Sequence, residues 1–176
     1  MRKVIQSIGF LLILSFPLQV FPAVNFLGRD LNNEAVSRLD HNDKAVVVGL
    51  WASWCPHCVD ELNLLESIQR AYGDDVFVVA VSYDETKRQI QKALKHQIKD
   101  LSITLTTDKG LRVRRSLGSP KSVPRMYLLN NDGEIIYRAR GYSDCVAEEL
   151  VGAINQFIEE GKYEQTTEAP CCEDDA

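Results

Sequence analysis

The sequence lacks any run or stripe of basic residues, and this absence excludes one class of partner. The chain has 20 Lys and Arg against 25 Asp and Glu, and its basic pieces, 87–88 and 112–115, are short. Short pieces of this kind are typical of solvated helix faces and not of a surface that binds a phosphate backbone. We therefore expect no nucleic acid partner.

Internal repeats and low-complexity segments are also absent from the sequence. A chain of 176 residues without them has room for one domain with an ordinary core. The last segment, 163–176, is acidic and shows no hydrophobic periodicity, so we expect a disordered tail there. The predicted folded domain is 25–162.

Charge is missing throughout residues 4–28, directly after a basic start. A basic start followed by an apolar core predicts an export segment over residues 1–24. Cleavage after Ala23 would leave Phe21 where a small residue is expected, and the apolar stretch approaches the roughly 20 residues that span a bilayer. A cleaved signal peptide and an uncleaved membrane anchor both remain open. Either one places the domain in an exported, oxidising compartment, on the periplasmic side of a bacterial membrane.

Cysteine is scarce, with five in the chain, and two of the five stand in a context that indicates chemistry. Cys55 and Cys58 follow a β-branched run, 45–50, that predicts a buried strand. After them, apolar residues at helical spacing predict an amphipathic helix over 59–72. A strand therefore delivers Cys55 to the first turn of a helix, where unpaired N–H groups and the helix dipole stabilise a thiolate. Because the thiolate is the nucleophile, the pair predicts dithiol–disulfide chemistry.

The rest of the chain alternates strand and helix patterns, which predicts an α/β fold with a central mixed sheet covered by helices on both faces. The predicted strands are 74–83 and 101–106, and the predicted helices are 85–99, 110–117 and 144–160. The turn 130–133 joins 126–129 and 134–138 into an antiparallel hairpin.

These features resemble the thioredoxin fold, and in particular the exported TlpA/ResA-like thiol–disulfide oxidoreductases, which include the cytochrome c maturation reductases. The resemblance rests on Trp-Ala-Ser-Trp-Cys-Pro-His-Cys at 51–58, on Val123 and Pro124 before the hairpin, and on an extra strand–helix unit between them. It implies a redox-active Cys55–Cys58 disulfide, no other cofactor and no bound metal.

The same resemblance implies partners and further site residues. Its substrates are protein thiols and disulfides, and its electron donor is embedded in the membrane. A cis bond between Val123 and Pro124 would shape the edge where a substrate segment lies, although an ordinary turn proline is the alternative from the residues alone. Trp54 and Pro56 belong to the motif and are assigned modulating roles.

Glu61 and His57 are the two residues at which the pattern departs from common thioredoxins. Many thioredoxins carry a buried Asp six residues before the first cysteine, where this chain has Gly49, whereas the TlpA/ResA-like proteins often carry a Glu six residues after it, as Glu61 does. A partly buried Glu61 would take the proton of Cys58, and a solvent-exposed acid in the first helical turn is the alternative. Pro-His between the cysteines matches the strong oxidant DsbA, in which the reduced form is stabilised, but the chain has no room for the helical domain of DsbA.

Three further cysteines have less certain roles. Cys145 falls near the start of the last helix, where we expect a small residue buried against the sheet. Cys171 and Cys172 form a vicinal pair in the acidic tail. They are candidates for accessory redox chemistry or for soft-metal binding, and incidental thiols are the alternative.

The leading functional prediction is an enzyme that reduces protein disulfides. A disulfide-forming oxidant of DsbA-like direction is the first alternative. Copper or other soft-metal delivery is the second, although a structural zinc site needs four ligands and no second suitable pair lies in the folded part. A non-catalytic binding module fits poorly with an intact Cys-Pro-His-Cys motif.

Overall fold

A computed structural model of the chain describes residues 23–95 and 101–161. These residues form one seven-stranded sheet in the order β2-β1-β5-β4-β3-β6-β7. The strands are β1 Phe26–Asp30, β2 Ala35–Ser37, β3 Ala45–Trp51, β4 Val76–Tyr83, β5 Thr104–Asp108, β6 Arg125–Leu129 and β7 Ile135–Arg140. The helices are α1 Cys58–Tyr72, α2 Lys87–Leu94, α3 Arg112–Ser116 and α4 Asp144–Glu160, with 3-10 turns at Arg38–His41 and Gly73–Asp75.

The sheet is mixed, as the alternation of strands and helices predicted. β3 pairs in parallel with β4, and β4 with β5, while β6 and β7 continue the sheet antiparallel to β3. Every residue of β3 is buried, which fits a central strand covered on both faces. Between α1 and Pro124 lies the additional unit of α2, β5 and α3.

Two apolar layers cover the two faces of the sheet. Because side chains alternate along a strand, Ala45 and Val47 face one layer and Val46 and Val48 the other. The first layer receives the buried residues of α1, α2 and α4, and the second receives those of α3. Helices therefore lie on both faces, which confirms the predicted thioredoxin-like architecture.

The pair β1 and β2 is an addition that the pattern analysis missed. β1 pairs antiparallel with β5 through Arg29 opposite Thr107. Gly28 has a φ of 101°, and a Cβ built there would lie 2.6 Å from the Thr106 Oγ1 atom. The strand thus depends on a glycine in a left-handed conformation, which weakens a periodicity-based prediction.

Several element boundaries differ from the predicted ones because side chains bind the backbone there. The N–H groups of Ser102 and Ile103 donate to Glu66, at 2.8 and 3.3 Å, so β5 begins only at Thr104. Helix α2 begins after Thr86, whose side chain and that of Gln89 form a capping box. The helix ends at Leu94, and residues 96–99 of the predicted helix lie outside the described residues.

No helix within 23–95 or 101–161 is long and apolar enough to cross a membrane. The predicted export segment, 1–24, lies almost entirely outside the described residues, as does the predicted tail, 163–176. The domain boundaries drawn from the sequence therefore stay predictions.

Candidate active site

The two motif cysteines lie where the central strand β3 leaves the sheet. The chain turns through residues 52–57 before α1 begins at Cys58. The turn is held by the backbone, because the Cys55 N–H donates to the Ala52 carbonyl at 3.1 Å and the Cys58 N–H to the Cys55 carbonyl at 3.3 Å. The site is thus built at the carboxyl end of a parallel strand pair, where α/β proteins place their ligands.

Cys55 and Cys58 form a disulfide, with Cα atoms 5.4 Å apart. Both are buried, and Cys55 retains 7% of its surface whereas Cys58 retains 1%. The sequence analysis placed Cys55 in the first turn of α1. The helix begins only at Cys58, so Cys55 lies three residues before it. It still stands at the positive end of the helix dipole.

The other motif residues form an exposed rim around this disulfide. Trp54 is 62% exposed and lies edge-on to Tyr83, with ring centroids 6.5 Å apart. Pro56 and His57 are exposed as well. His57 is the N-cap residue of α1, but its side chain makes no capping hydrogen bond. The disulfide is thus flanked in the chain by exposed motif residues.

Glu61 is completely buried on α1, three residues after Cys58. Neither carboxyl oxygen has a hydrogen-bond partner among the described residues. Burial raises the pKa of Glu61 well above its ordinary value of 4.5. Glu61 is therefore buried and not a solvent-exposed acid. Its burial is complete, whereas the sequence suggested partial burial.

Gly49 explains how this carboxyl fits into the core. A Cβ built on Gly49 would lie 2.4 Å from a Leu65 methyl and 3.1 Å from the Glu61 Oε1 atom. The carboxyl thus lies against β3 at the position where many thioredoxins carry their buried Asp. Any larger residue at 49 would collide with α1.

A second buried carboxylate, Glu85, was not found from the sequence. It accepts hydrogen bonds from the Ser53 N–H at 2.8 Å, from the Ser53 hydroxyl, and from the Ser82 hydroxyl at 2.7 Å. Glu85 follows β4, and Ser53 lies in the loop that follows β3. The carboxyl ends of adjacent parallel strands meet at one edge of the sheet, so the polar residues after both strands were an available signal. Glu85 fixes the loop that carries Trp54 and Cys55.

The bond between Val123 and Pro124 is cis, as the resemblance implied. β6 begins directly after it, and Arg125 pairs with Leu50 of β3. Pro124 therefore stands beside the point where β3 ends and the cysteine loop begins. Its predicted role at a substrate edge remains a prediction.

Comparisons with known proteins agree with this geometry. A sequence model of the family described as Redoxin matches residues 19–151. The chain belongs to the Redoxin family. It is 29% identical over 134 residues to thiol-disulfide oxidoreductase ResA of Halalkalibacterium halodurans, covering 75% of this chain and 74% of that protein. Thioredoxin-like protein YneN of Bacillus subtilis is 30% identical over 115 residues, covering 64% of this chain and 66% of that protein.

Solved structures of similar proteins show the same fold. A protein described as a putative thiol:disulfide interchange protein DsbE from Chlorobium tepidum superposes with a TM-score of 0.67 at 23% identity, covering 78% of this chain and 94% of that chain. StoA from Bacillus subtilis gives a TM-score of 0.59 at 26% identity, covering 73% and 96%. With the Cys55–Cys58 pair in place, this Redoxin family member is a thiol–disulfide oxidoreductase of the ResA type.

The remaining cysteines divide into one that the structure describes and two that it does not. Cys145 is exposed as the second residue of α4, so the expectation that it is buried against the sheet was wrong. The apolar face of α4 begins instead with Val146, which is 2% exposed. Cys145 is also disulfide-bonded. Cys171 and Cys172 lie outside the described residues.

Metal-ligand clusters are absent from the described part of the chain, in which no group of three or more His, Cys, Asp or Glu side chains converges. Among the motif residues that could bind a metal, His57 is exposed, and the sulfurs of Cys55 and Cys58 are bonded to each other. The Cys55–Cys58 disulfide is itself a feature of the protein's own side chains.

Proposed function

We propose that this oxidoreductase reduces disulfides of exported protein substrates through Cys55 and Cys58. The Cys55 thiolate attacks a substrate disulfide and forms a mixed disulfide, which releases one substrate thiolate. Cys58 then attacks Cys55, which releases the second substrate thiolate and leaves Cys55–Cys58 oxidised. A membrane-embedded dithiol donor returns two electrons and two protons to the pair.

The observation that carries the proposal is the complete burial of Glu61 on the helix that begins with Cys58. Cys58 must lose its proton before it can attack, and it is 1% exposed, so water has little access to it. Glu61 follows Cys58 by three residues on α1 and so shares its helix face. A buried carboxyl without hydrogen-bond partners is a strong base once ionised. Glu61 therefore serves resolution by Cys58, the step that completes reduction of a substrate.

The proposed direction is tested by the redox state of the pair in growing cells. Acid quenching followed by thiol labelling should find Cys55 and Cys58 reduced when the donor system is present. Deletion of the donor should shift them to the disulfide. A pair that is fully oxidised in the presence of the donor would overturn the reductase assignment.

An oxidising direction is the second candidate, and the position of His57 favours it. His57 is exposed at the N-cap of α1, next to the disulfide. In the reduced form a donor at this position stabilises a thiolate, which makes the pair a stronger oxidant. The compact unit of β4, α2, β5 and α3 between α1 and Pro124 favours the reductase.

Export and a membrane tether belong to the same proposal. The uncharged segment 4–28 with its basic start supports both, and the disulfide of an oxidised apocytochrome c is a substrate that fits a periplasm-facing reductase. A fusion of the full chain to a reporter enzyme that is active only outside the cytoplasm should be active. Removal of residues 1–24 should abolish that activity, and a reporter active without them would contradict export through this segment.

A further inference from the structure

Three arginines meet on one face of the β6–β7 hairpin, although they are not neighbours in the sequence. Arg125 lies directly opposite Arg140, and residues opposite each other on antiparallel strands project to the same face. Arg138 projects to that face as well, because side chains alternate along a strand. We propose that this arginine cluster (Arg125, Arg138 and Arg140) docks an acidic segment of the protein substrate next to its disulfide. The inference rests on the proposed reduction of protein disulfides.

The arginine cluster lies at the edge of the sheet that is farther from α3. Arg125 pairs with Leu50 and Arg138 with Tyr127, and both partners belong to the apolar layer that α3 covers. Helix α3 packs chiefly against β1 and β5, whereas β7 is the edge strand on the other side of the sheet. Arg138 and Arg140 are exposed, and Arg125 is half-buried. The guanidinium groups on β7 are therefore open to a partner.

The charges of the arginine cluster are not neutralised within residues 23–95 and 101–161, where none of the three arginines forms an ion pair. Arg125 donates to the Ser122 hydroxyl at 2.9 and 3.1 Å, and this acceptor is neutral. The first acid after Arg140 is Asp144, which begins α4, and α4 packs against the opposite face of the sheet. Like charges directly opposite each other destabilise a strand pair. A bound carboxylate relieves this repulsion and gains charge-assisted hydrogen bonds.

The arginine cluster begins beside the active-site disulfide. Arg125 directly follows the cis-proline Pro124 and pairs with Leu50, one residue before β3 ends and five residues before Cys55. The Gly141 N–H, at the end of β7, donates to the Pro124 carbonyl at 3.1 Å. Adjacent strands lie about 4.8 Å apart, so β7 is about 10 Å from β3, a distance that about three extended residues span. A substrate joined to Cys55 therefore reaches the cluster with residues close to its own cysteine.

The charge of the whole chain favours a peptide over a larger polyanion as the partner. The formal net charge is −5, so an anionic bilayer or a nucleic-acid backbone that approaches the whole molecule meets net repulsion. A few carboxylates on an extended peptide reach the arginine cluster without approaching the rest of the surface. The cluster spans two adjacent strands, a width of about 5 Å that suits one extended chain.

Single-turnover kinetics with charged peptides test the docking. Two short peptides each carry one cysteine in a mixed disulfide with 2-thiopyridine, and differ in having aspartates or lysines a few residues from that cysteine. The Cys55 thiolate attacks the peptide sulfur, which breaks the mixed disulfide and releases thiopyridone, and absorbance measures this release. Cys58 then displaces the peptide thiol and closes the disulfide. Each rate is divided by the rate with dithiodipyridine, a small neutral disulfide that reports on the cysteine pair alone.

The reduced full chain should react about fivefold faster with the aspartate peptide than with the lysine peptide, as expected when two exposed ion pairs each contribute a factor of about two. High salt should remove most of this preference. The double substitution Arg138→Ser with Arg140→Ser should make the two rates equal, and Arg138→Glu with Arg140→Glu should reverse their order. Arg29→Ser is the matched control and should keep the preference, because Arg29 is an exposed arginine on β1, across the sheet from β6.

Each failure has its own signature. Equal peptide rates in the parent protein, with an ordinary dithiodipyridine rate, would overturn the docking alone. A reduced protein that fails with dithiodipyridine would overturn the proposed function and the docking together. A preference that survives in the double serine variant would overturn the role of the arginine cluster. Binding to anionic lipid vesicles that this variant loses, without any peptide preference, would reassign the cluster to a membrane surface and overturn the proposal.

Discussion

At the end of the sheet where β6 turns into β7, a buried arginine has a partner for each nitrogen of its guanidinium. Arg38 is 4% exposed and donates to the Asn25 side chain at 2.9 and 3.2 Å, to the Asn42 side chain at 3.1 Å and to the Asn131 carbonyl. At the opposite end, Glu61 is fully buried and neither of its oxygens has a partner within the described residues. Both groups cost free energy to desolvate, and only the first recovers it through hydrogen bonds. The difference supports the proposal that Arg38 serves stability, whereas Glu61 is buried for the chemistry of the cysteine pair.

The largest expected effect comes from replacing the two cysteines at the active-site end of the sheet. Cys55→Ser should reduce insulin disulfide reduction to the uncatalysed rate, because the nucleophile is lost. Cys58→Ser should instead accumulate mixed disulfides at Cys55, because resolution is lost. Non-reducing gels after affinity capture measure the trapped partners. Equal trapping by both variants would show that either cysteine can attack first, and stronger trapping by Cys55→Ser would show that the order is reversed. Thermal unfolding of the reduced proteins should change little in either.

Breaking the opposite end should affect stability instead of activity. Arg38→Ala removes a buried guanidinium together with its hydrogen bonds to the exposed residues Asn25 and Asn131, and each lost bond costs about 0.5–1.5 kcal/mol because water can replace the donor. Urea unfolding should show this loss, while the reduction rate per folded molecule should stay unchanged. Arg29→Ala removes an arginine that makes one exposed hydrogen bond and is the matched control. A loss of activity without a loss of stability in Arg38→Ala would break the comparison between the two ends.

Replacing Glu61 by an uncharged glutamine should separate its effect on stability from its effect on the resolution of mixed disulfides, because only the first depends on pH through the folding equilibrium. Burial raises the pKa of Glu61, so the folded state prefers the protonated acid. The contribution to stability is then fully present below the ordinary pKa of about 4.5 and is lost as the pH rises through the folded pKa. Glu61→Gln should therefore be more stable than the parent protein at pH 8, with a smaller difference at pH 4. The same variant should resolve mixed disulfides more slowly, because it has lost the base.

Glu66, on the same helix, is the control with the opposite sign. Burial alone would raise the pKa of Glu66, but hydrogen bonds from Arg70, Ser102 and Ile103 outweigh it and lower that pKa. Its contribution is present above the ordinary pKa and is lost as the pH falls through the lowered one. Glu66→Gln should therefore lose stability at pH 7 and leave resolution unchanged. Denaturant unfolding of both variants from pH 4 to 8 measures the contrast, and parallel pH profiles would contradict it.

The sequence predicted the parts of the molecule in which local pattern and tertiary structure agree. The β-branched run before Cys55 is β3, the helical spacing after it is α1, and the turn at 130–133 joins β6 and β7. The cis Val123–Pro124 bond came from the resemblance and not from periodicity. What pattern could not supply was contact between distant segments. Glu85 binds Ser53 across 32 positions, and only the expectation that adjacent parallel strands end at one edge of the sheet could have linked the two.

Cys145 shows a second limit of prediction from local pattern. Its neighbours Val146 and Leu150 are buried, and the helical face was correctly placed over 144–160. A one-residue rotation around a helix turns a side chain by about 100°, so Cys145 points to a different side from Val146. Residue type favoured burial, since cysteine is among the most buried residues. Cys145 is nonetheless exposed, because the apolar face of α4 begins one residue later, at Val146.

The smallest expected effect concerns His57, and it sharpens what the active-site end is tuned to do. His57 is exposed at the N-cap of α1 and makes no hydrogen bond to the helix, so its ring is available to donate to the Cys55 thiolate in the reduced protein. One charge-assisted hydrogen bond contributes about 1.5–3 kcal/mol, and about 30 mV corresponds to 1.4 kcal/mol for a two-electron couple. His57→Ala should therefore lower the potential by tens of millivolts and raise the pKa of Cys55. Equilibration with glutathione buffers measures the first quantity, and alkylation rate against pH measures the second. Asp60→Ala, an exposed change in the first turn of α1, is the control for a general loss of charge.

Because thioredoxin and DsbA differ by about 150 mV, a single hydrogen bond cannot convert one direction into the other. A shift that spans most of that gap would mean that His57 alone sets the direction, and no shift would mean that the helix end and the burial of Cys55 set it without His57.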